Sequence, residues 1–148
     1  MAFGIANPSD IQDYLGDESL PARHAIRVSR LDGSILGHGQ VMIPASGPDG
    51  FDIHLTDNGS GATGDFGGLV QDFSSFDEAL NWAERAVLED YRLRIDFAGA
   101  NPWRWTLEKL VRDGGVIDIF SSGHLVLFPS LRKGSVSYRR NIDPQKIN

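Results

Sequence analysis

The feature that most constrains this fold is a change of hydrophobic period at Asp90, between a helical stretch and an extended one. Before it, apolar residues recur at the spacing of one face of an α-helix. Ser75 and Glu78 form a capping box at the start of that stretch. The pattern therefore predicts a helix over about residues 75–89, with an apolar face made of Phe76, Ala79, Leu80, Ala83 and Val87.

After Asp90, apolar and polar residues alternate from Tyr91 to Phe97, as in a half-buried strand. A hairpin closing over residues 98–102 brings complementary residues into register. A helix from Thr106 to Arg112 is an alternative, because Leu107, Leu110 and Val111 also fit a helical period. The predicted hairpin pairs are Phe97 with Trp103, Ile95 with Trp105, Leu93 with Leu107, Asp96 with Arg104 and Arg92 with Glu108.

The segment from His24 to Thr56 predicts a three-stranded antiparallel meander, with Asp32-Gly33 as its first turn and residues 44–50 as its second. In the predicted register Gln40 lies opposite His54. The pattern divides into two faces, as a sheet with one solvated side requires. The apolar face holds Ile26, Val28, Ile35, Val41, Ile43, Phe51, Ile53 and Leu55, and the polar face holds Arg27, Ser29, His38, Gln40, Asp52, His54 and Thr56.

Residues 57–68 contain five glycines and no periodic apolar signal, which predicts a mobile surface loop. Gly59 to Gly64 match the pattern G-x-G-x-x-G. A dinucleotide site needs a helix that starts directly after the glycines, and four residues intervene here. We therefore expect no nucleotide at this loop and no cofactor elsewhere in the chain.

The remaining segments complete an α+β fold. A second capping box at Ser9 and Gln12 predicts a short N-terminal helix over about residues 9–15. Short strands are expected at 116–120, 125–128 and 136–140. We predict one domain over residues 1–148: a mostly antiparallel β-sheet of six to eight strands, built as a meander, with one long helix packed on its apolar face.

Composition indicates an ordinary soluble chain. Apolar residues make up 41% and charged residues 23% of the sequence, as in globular proteins. The sequence contains no run of 18 apolar residues that could span a membrane, and the first ten residues lack the features of a secretory signal. Because the chain has no cysteine, disulfides and thiolate metal sites are excluded. We expect a cytoplasmic protein without a membrane partner.

The net charge of −6 is unevenly distributed. Residues 1–100 carry 6 basic and 16 acidic side chains, a balance of −10, whereas residues 101–148 carry 8 and 4, a balance of +4. An acidic surface disfavours nonspecific nucleic-acid binding and attracts basic proteins. Two arrangements fit this pattern: the folded protein could have an acidic end and a basic end, or acidic and basic side chains could be mixed over its surface.

No nucleophile elbow, zinc-protease motif or phosphate-binding loop occurs in the sequence. The leading hypothesis is a non-enzymatic inhibitor that covers a basic protein, such as a toxin-neutralising immunity protein or a phage-type inhibitor. Charge would speed the encounter and a few buried aromatic residues would hold the complex. The expected contact residues are Asp57, Asp65, Asp72, Asp77, Trp82 and Glu84.

Two alternatives use other residues. His38, Asp52 and His54 share one predicted sheet face and could bind a metal ion or act as acid and base. The aromatic and basic cluster around Trp103 and Trp105 could instead bind single-stranded nucleic acid, although the hairpin register turns both tryptophans inward. The basic residues of that reading are Arg104, Arg132, Lys133, Arg139 and Arg140.

Overall fold

The computed structural model describes residues 20–123 and 133–141. The predicted helix at 9–15, the strand at 125–128 and the last residues of the chain lie outside these ranges. The described chain is α+β, with two helices and two antiparallel sheets. The helices are α1 (Ala22–Arg30) and α2 (Phe76–Leu88). The first sheet contains β1 (Ser34–Gly37), β2 (Gln40–Ile43), β3 (Ile53–Asp57), β4 (Ala62–Phe66) and β5 (Leu69–Phe73), and the second contains β6 (Tyr91–Ala98), β7 (Asn101–Leu110), β8 (Val116–Gly123) and β9 (Gly134–Arg139).

The predicted strand over residues 24–31 is wrong, because this segment forms α1. The alternation of Ile26 and Val28 suggested a strand, yet Val28 is 1% exposed and Ile26 is 55% exposed. Burial instead follows a helical period through His24, Val28 and Leu31. With Asp32-Gly33 now joining α1 to β1, the first hairpin turn lies at Gly37-His38-Gly39, where all three residues have positive φ.

The first sheet is a meander, as predicted, with strand order β1-β2-β3-β4-β5. Its register differs from the prediction by two residues: Gln40 lies opposite Thr56, and Met42 lies opposite His54. Because side chains alternate with a period of two, a shift of two residues leaves every side chain on its predicted face. Val41, Ile43, Ile53 and Leu55 are accordingly buried.

The predicted loop over residues 57–68 is also wrong. It contains β4, which pairs with β3 and β5 in the middle of the meander. Three of the glycines allow tight turns: Gly59, Gly67 and Gly68 have positive φ at the two hairpin turns. Gly64 lies in the strand, where a Cβ would approach Phe66 Cε1 to 2.6 Å. No helix follows these glycines directly, as a dinucleotide site would require.

The predicted main helix is confirmed as α2. Ser75 is its N-cap, and the Ser75 hydroxyl accepts a hydrogen bond from the Glu78 amide at 3.1 Å. The Glu78 carboxylate accepts from the amide and hydroxyl of Ser74, both at 2.9 Å, rather than from the Ser75 amide of a standard capping box. The predicted apolar face of α2 is buried against β3, β4 and β5.

The predicted hairpin after α2 is confirmed, and β7 extends to Leu110, so the alternative helix at 106–112 does not form. Four predicted pairs are observed: Ile95 with Trp105, Leu93 with Leu107, Asp96 with Arg104 and Arg92 with Glu108. The fifth is wrong, because a bulge after Asp96 places Pro102 rather than Trp103 opposite Phe97.

The strands form two sheets rather than the single sheet predicted. The second sheet has the order β8-β7-β6-β9, so the chain returns from β8 to pair β9 with β6. One face of this sheet joins the core beneath α2 through Leu93, Leu107 and the partly buried Phe120. The other face carries mainly charged and polar side chains, together with the exposed Val136 and Tyr138. Each sheet therefore has one face in the common core and one face outside it.

Candidate functional site

The outer face of the first sheet carries two rows of side chains that cross the strands. The registers align Gln40, Thr56, Thr63 and Asp72 in one row, and Met42, His54, Asp65 and Val70 in the next. All eight residues are exposed or half-buried, while their neighbours along the strands point into the core. We call these eight residues together with Asp57 the acidic face; Asp57 is exposed at the end of β3, although strand alternation places it on the side of Leu55.

Charge in this part of the molecule has one sign. Between residues 31 and 84 the chain contains nine acidic residues and no lysine or arginine. The whole first sheet lies within that span. Among the described residues, Asp57, Asp65 and Asp72 make no ion pair. Their negative charge is therefore available to an approaching partner.

Local hydrogen bonds hold these three carboxylates in place. Asp57 Oδ1 accepts from the Gly59 amide at 2.9 Å, and Asp65 Oδ1 accepts from the Gly68 amide at 2.8 Å. Asp72 Oδ1 accepts from the Thr63 hydroxyl at 3.1 Å. Within the described ranges each carboxylate is bonded through Oδ1, so Oδ2 remains an acceptor for an external donor.

The two predicted contact residues Asp77 and Glu84 lie on α2, away from the acidic face, and both are paired with Arg27 of α1. Arg27 donates from Nε and Nη2 to the two carboxylate oxygens of Glu84, at 2.8 and 2.7 Å. It also donates from Nη1 to Asp77 at 2.9 Å. Hydrogen bonding to Glu84 raises the pKa of Arg27 despite partial burial. These carboxylates hold the two helices together.

Trp82, predicted as an interface anchor, is half-buried against other aromatic rings. Its ring makes edge contacts with Phe120 and Tyr91, at centroid distances of 4.9 and 6.0 Å. The Arg85 guanidinium lies over it at 4.5 Å. Trp82 therefore joins α2 to the second sheet, a packing role that hydrophobic periodicity did not indicate.

The three residues of the metal hypothesis are not brought together. His38 lies in the β1–β2 turn and His54 in the middle of β3. The Asp52 carboxylate accepts from the Ala45 amide at 2.8 Å. In the described part of the chain, no group of three or more histidine, aspartate and glutamate side chains is arranged to hold a metal ion.

The residues of the nucleic-acid hypothesis are also dispersed. Arg104 lies on the outer face of the second sheet, whereas Arg139, paired with Leu93, projects to the opposite side. Arg140 donates to Asp90 at 2.6 Å, and Lys133 is exposed next to β9. Arg132 lies outside the described residues.

Sequence reasoning missed a compact ionic cluster on the outer face of the second sheet. It found two cross-strand pairs there but not the contacts of Arg94 with both Asp96 and Glu108 that join them. The alternation of Arg92, Arg94 and Asp96 was the available signal. We call Arg92, Arg94, Asp96, Arg104 and Glu108 the arginine cluster.

Comparison with protein-family models, curated proteins and solved structures finds no match to this chain. Neither helix in residues 20–123 and 133–141 has the length and apolar character needed to cross a membrane.

Proposed function

We propose that this protein is a non-enzymatic binding protein whose acidic face covers a basic surface of a protein partner. The observation that carries the proposal is the unpaired charge of the exposed Asp57 and Asp72 and the half-buried Asp65 on a sheet that contains no lysine or arginine. A toxin-neutralising immunity protein or a phage-type inhibitor works in this way, by occupying the surface that its partner needs.

Both components of such binding have candidates on the acidic face. Complementary charge raises the association rate and selects against acidic partners. Retention needs apolar contact, and Val70, which is 50% exposed, lies in the same row as Asp65 and the half-buried Met42. Asp77, Trp82 and Glu84 are not part of this proposal, because their contacts are within the protein.

The test begins with recovery of a partner by crosslinking in the native host, followed by kinetics with both purified proteins. The informative variant changes Asp57, Asp65 and Asp72 together to asparagine, which removes charge but keeps the oxygen that accepts each local hydrogen bond. We expect the association rate at low salt to fall by about tenfold or more, with a weaker dependence on salt.

The matched control is the triple variant Glu89→Gln, Asp113→Asn and Asp118→Asn, whose net charge changes equally but whose sites are exposed elsewhere. It should associate almost as fast as the unchanged protein. If both variants lost the same fraction of the association rate, the effect would be one of net charge and not of the acidic face. A partner bound with unchanged rate and salt dependence by the acidic-face variant would contradict the proposal.

A further inference from the structure

The arginine cluster is a layered arrangement with its carboxylates at the base. Asp96 is 6% exposed and Glu108 is 2% exposed, although both project from the outer face of the second sheet. The arginine side chains that surround them are more accessible, with exposed fractions of 26% for Arg92, 34% for Arg94 and 44% for Arg104. Above Asp96 and Glu108, solvent therefore meets mainly guanidinium groups.

All four carboxylate oxygens of the cluster are directed at arginines. Glu108 Oε1 accepts from Arg92 Nε at 2.7 Å, and Glu108 Oε2 lies 3.8 Å from Arg94 Nη1. Asp96 Oδ1 lies 3.0 Å from Arg94 Nη2, and Asp96 Oδ2 accepts from Arg104 Nε at 3.2 Å. Within the cluster three positive charges thus face two negative ones, and the exposed Asp118, opposite Glu108 on β8, adds a carboxylate beside it.

Hydrogen-bond donors also remain. Arg92 and Arg104 each use Nε within the cluster, and neither terminal nitrogen of either residue bonds to another residue in the described ranges. A guanidinium has five N–H donors in a fixed fork, which suits the oxygens of a phosphate group. These terminal nitrogens are the donors that an added anion would use.

Two aromatic rings support the outer guanidinium groups. The Arg92 guanidinium lies 3.9 Å from the ring centroid of Tyr138, and that of Arg104 lies 5.1 Å from Trp103. Arg94 lies between Tyr138 and Thr106 in the sheet register. Burial opposes the charged form of Arg94, but the nearby Asp96, Tyr138 and Glu108 outweigh it and raise its pKa. The positive layer is therefore partly ordered before any ligand arrives.

We propose that the arginine cluster binds the phosphate group of a small phosphorylated molecule, with the terminal nitrogens of Arg92 and Arg104 as donors and with Arg94 held between them by Asp96 and Glu108. The buried carboxylates hold the guanidinium groups in place from the base of the layer. Tyr138, which is 47% exposed at the edge of the cluster, can contact the organic part of such a ligand. The net charge of −6 does not prevent this, because charges beyond about 8–10 Å are largely screened at physiological salt.

The experiment titrates the protein with inorganic phosphate at physiological ionic strength and follows heat and the Nε–H resonances of the arginines. We expect saturable shifts at Arg92, Arg94 and Arg104. Arg104→Gln removes an outer donor but leaves Asp96 paired with Arg94, and should weaken phosphate binding about tenfold or more. Arg104→Lys keeps the charge without the fork and should give an intermediate affinity.

The control is Lys109→Gln, an equal change of charge at an exposed position of the same strand, which should leave phosphate affinity unchanged. A second titration with adenosine monophosphate distinguishes the sources of the phosphate group. Tighter binding accompanied by shifts of Tyr138 identifies a phosphorylated organic molecule, and equal binding identifies the phosphate group alone.

The resonances of the unchanged protein test the proposal even where a variant does not fold. Shifts that chloride reproduces at equal ionic strength, or the absence of saturable shifts at millimolar phosphate, would overturn it. Equal phosphate affinity in folded Arg104→Gln and in the unchanged protein would do the same.

Discussion

The side-chain amide of Asn141 replaces a strand partner for the backbone of Phe51, 90 residues earlier. The Phe51 amide donates to Asn141 Oδ1 at 2.9 Å, and the Phe51 carbonyl accepts from Asn141 Nδ2 at 3.0 Å. Asn141 Oδ1 also accepts from the Ser46 amide at 3.2 Å. Because Asn141 follows β9 and Phe51 precedes β3, this contact ties the second sheet to the first.

The change Asn141→Ala should lower the free energy of unfolding by about 2–3 kcal/mol, because it leaves buried backbone groups of Phe51 without a partner. Chemical denaturation measures the loss, and hydrogen exchange of the Phe51 amide should accelerate. Asn101→Ala, at an exposed position, is the control and should have little effect. Unchanged exchange at Phe51 would show that the contact contributes nothing.

Gly64 tests whether residues 57–68 are packed structure or a tolerant loop. A Cβ at this position would approach Phe66 and Phe73 to 2.6 and 3.0 Å, so Gly64→Ala should destabilise the protein by about 1–3 kcal/mol. Gly47→Ala, where nothing lies within 4 Å, should change stability by less than about 1 kcal/mol. Thermal unfolding measures the stability of both variants. Equal stabilities would indicate that residues 57–68 form a tolerant loop.

Leu80 lies at the centre of the buried face of α2, with no exposed surface. Truncation in Leu80→Ala should cost about 2–5 kcal/mol, and Leu80→Asp should unfold the domain because it buries an unpaired charge. Leu88→Ala on the same helix, at a residue that is 36% exposed, should cost about 1 kcal/mol or less. Unfolding followed by circular dichroism measures the loss of stability in the three variants. Equal losses would contradict the expected order.

Glu78 should contribute to acid unfolding. Hydrogen bonds from the amide and then the hydroxyl of Ser74 lower the pKa of Glu78 below its ordinary value of 4.5. A lowered folded-state pKa stabilises the fold above the unfolded-state pKa, and this contribution is lost as pH falls through the folded-state pKa. Stability of Glu78→Gln should therefore decline less between about pH 5 and about pH 3 than that of the unchanged protein.

A titration of the Glu78 carboxyl by NMR provides the complementary measurement. Ser74→Ala removes the hydroxyl but keeps the amide, so it should return the pKa of Glu78 part of the way to its ordinary value. A pKa of Glu78 unaltered by Ser74→Ala would show that the Ser74 hydroxyl does not contribute to the shift.

Arg27 and Glu84 should be coupled energetically, because their bidentate pair joins α1 to α2. A double-mutant cycle with Arg27→Gln and Glu84→Gln should give a coupling of about 0.5–1 kcal/mol, which high salt reduces. Arg30→Gln, at an exposed position of the same helix, should show no coupling to Glu84→Gln. Additive effects of the two changes would show that the pair does not stabilise the contact between the two helices.

Local interactions account for the features that the sequence predicted correctly. In α2, the cap at Ser75 and the apolar spacing from Phe76 to Val87 point to the same structure, so neither needed tertiary context. The β6–β7 hairpin was predictable because Arg92 with Glu108 and Asp96 with Arg104 agree with one register. The uneven charge was also visible, since all of the first sheet lies in the acidic part of the chain.

Tertiary structure decided the features for which local signals conflict or are silent. Apolar and polar side chains alternate over residues 26–29, which suits a strand, but packing of Val28 against the core selects the helix. The glycines of residues 57–68 lower local preference for any structure, and pairing on both sides makes β4 a strand. The contact of Arg92 with Tyr138 depends on the pairing of β9 with β6, which joins residues about 40 positions apart in the chain and is set by burial of a common core.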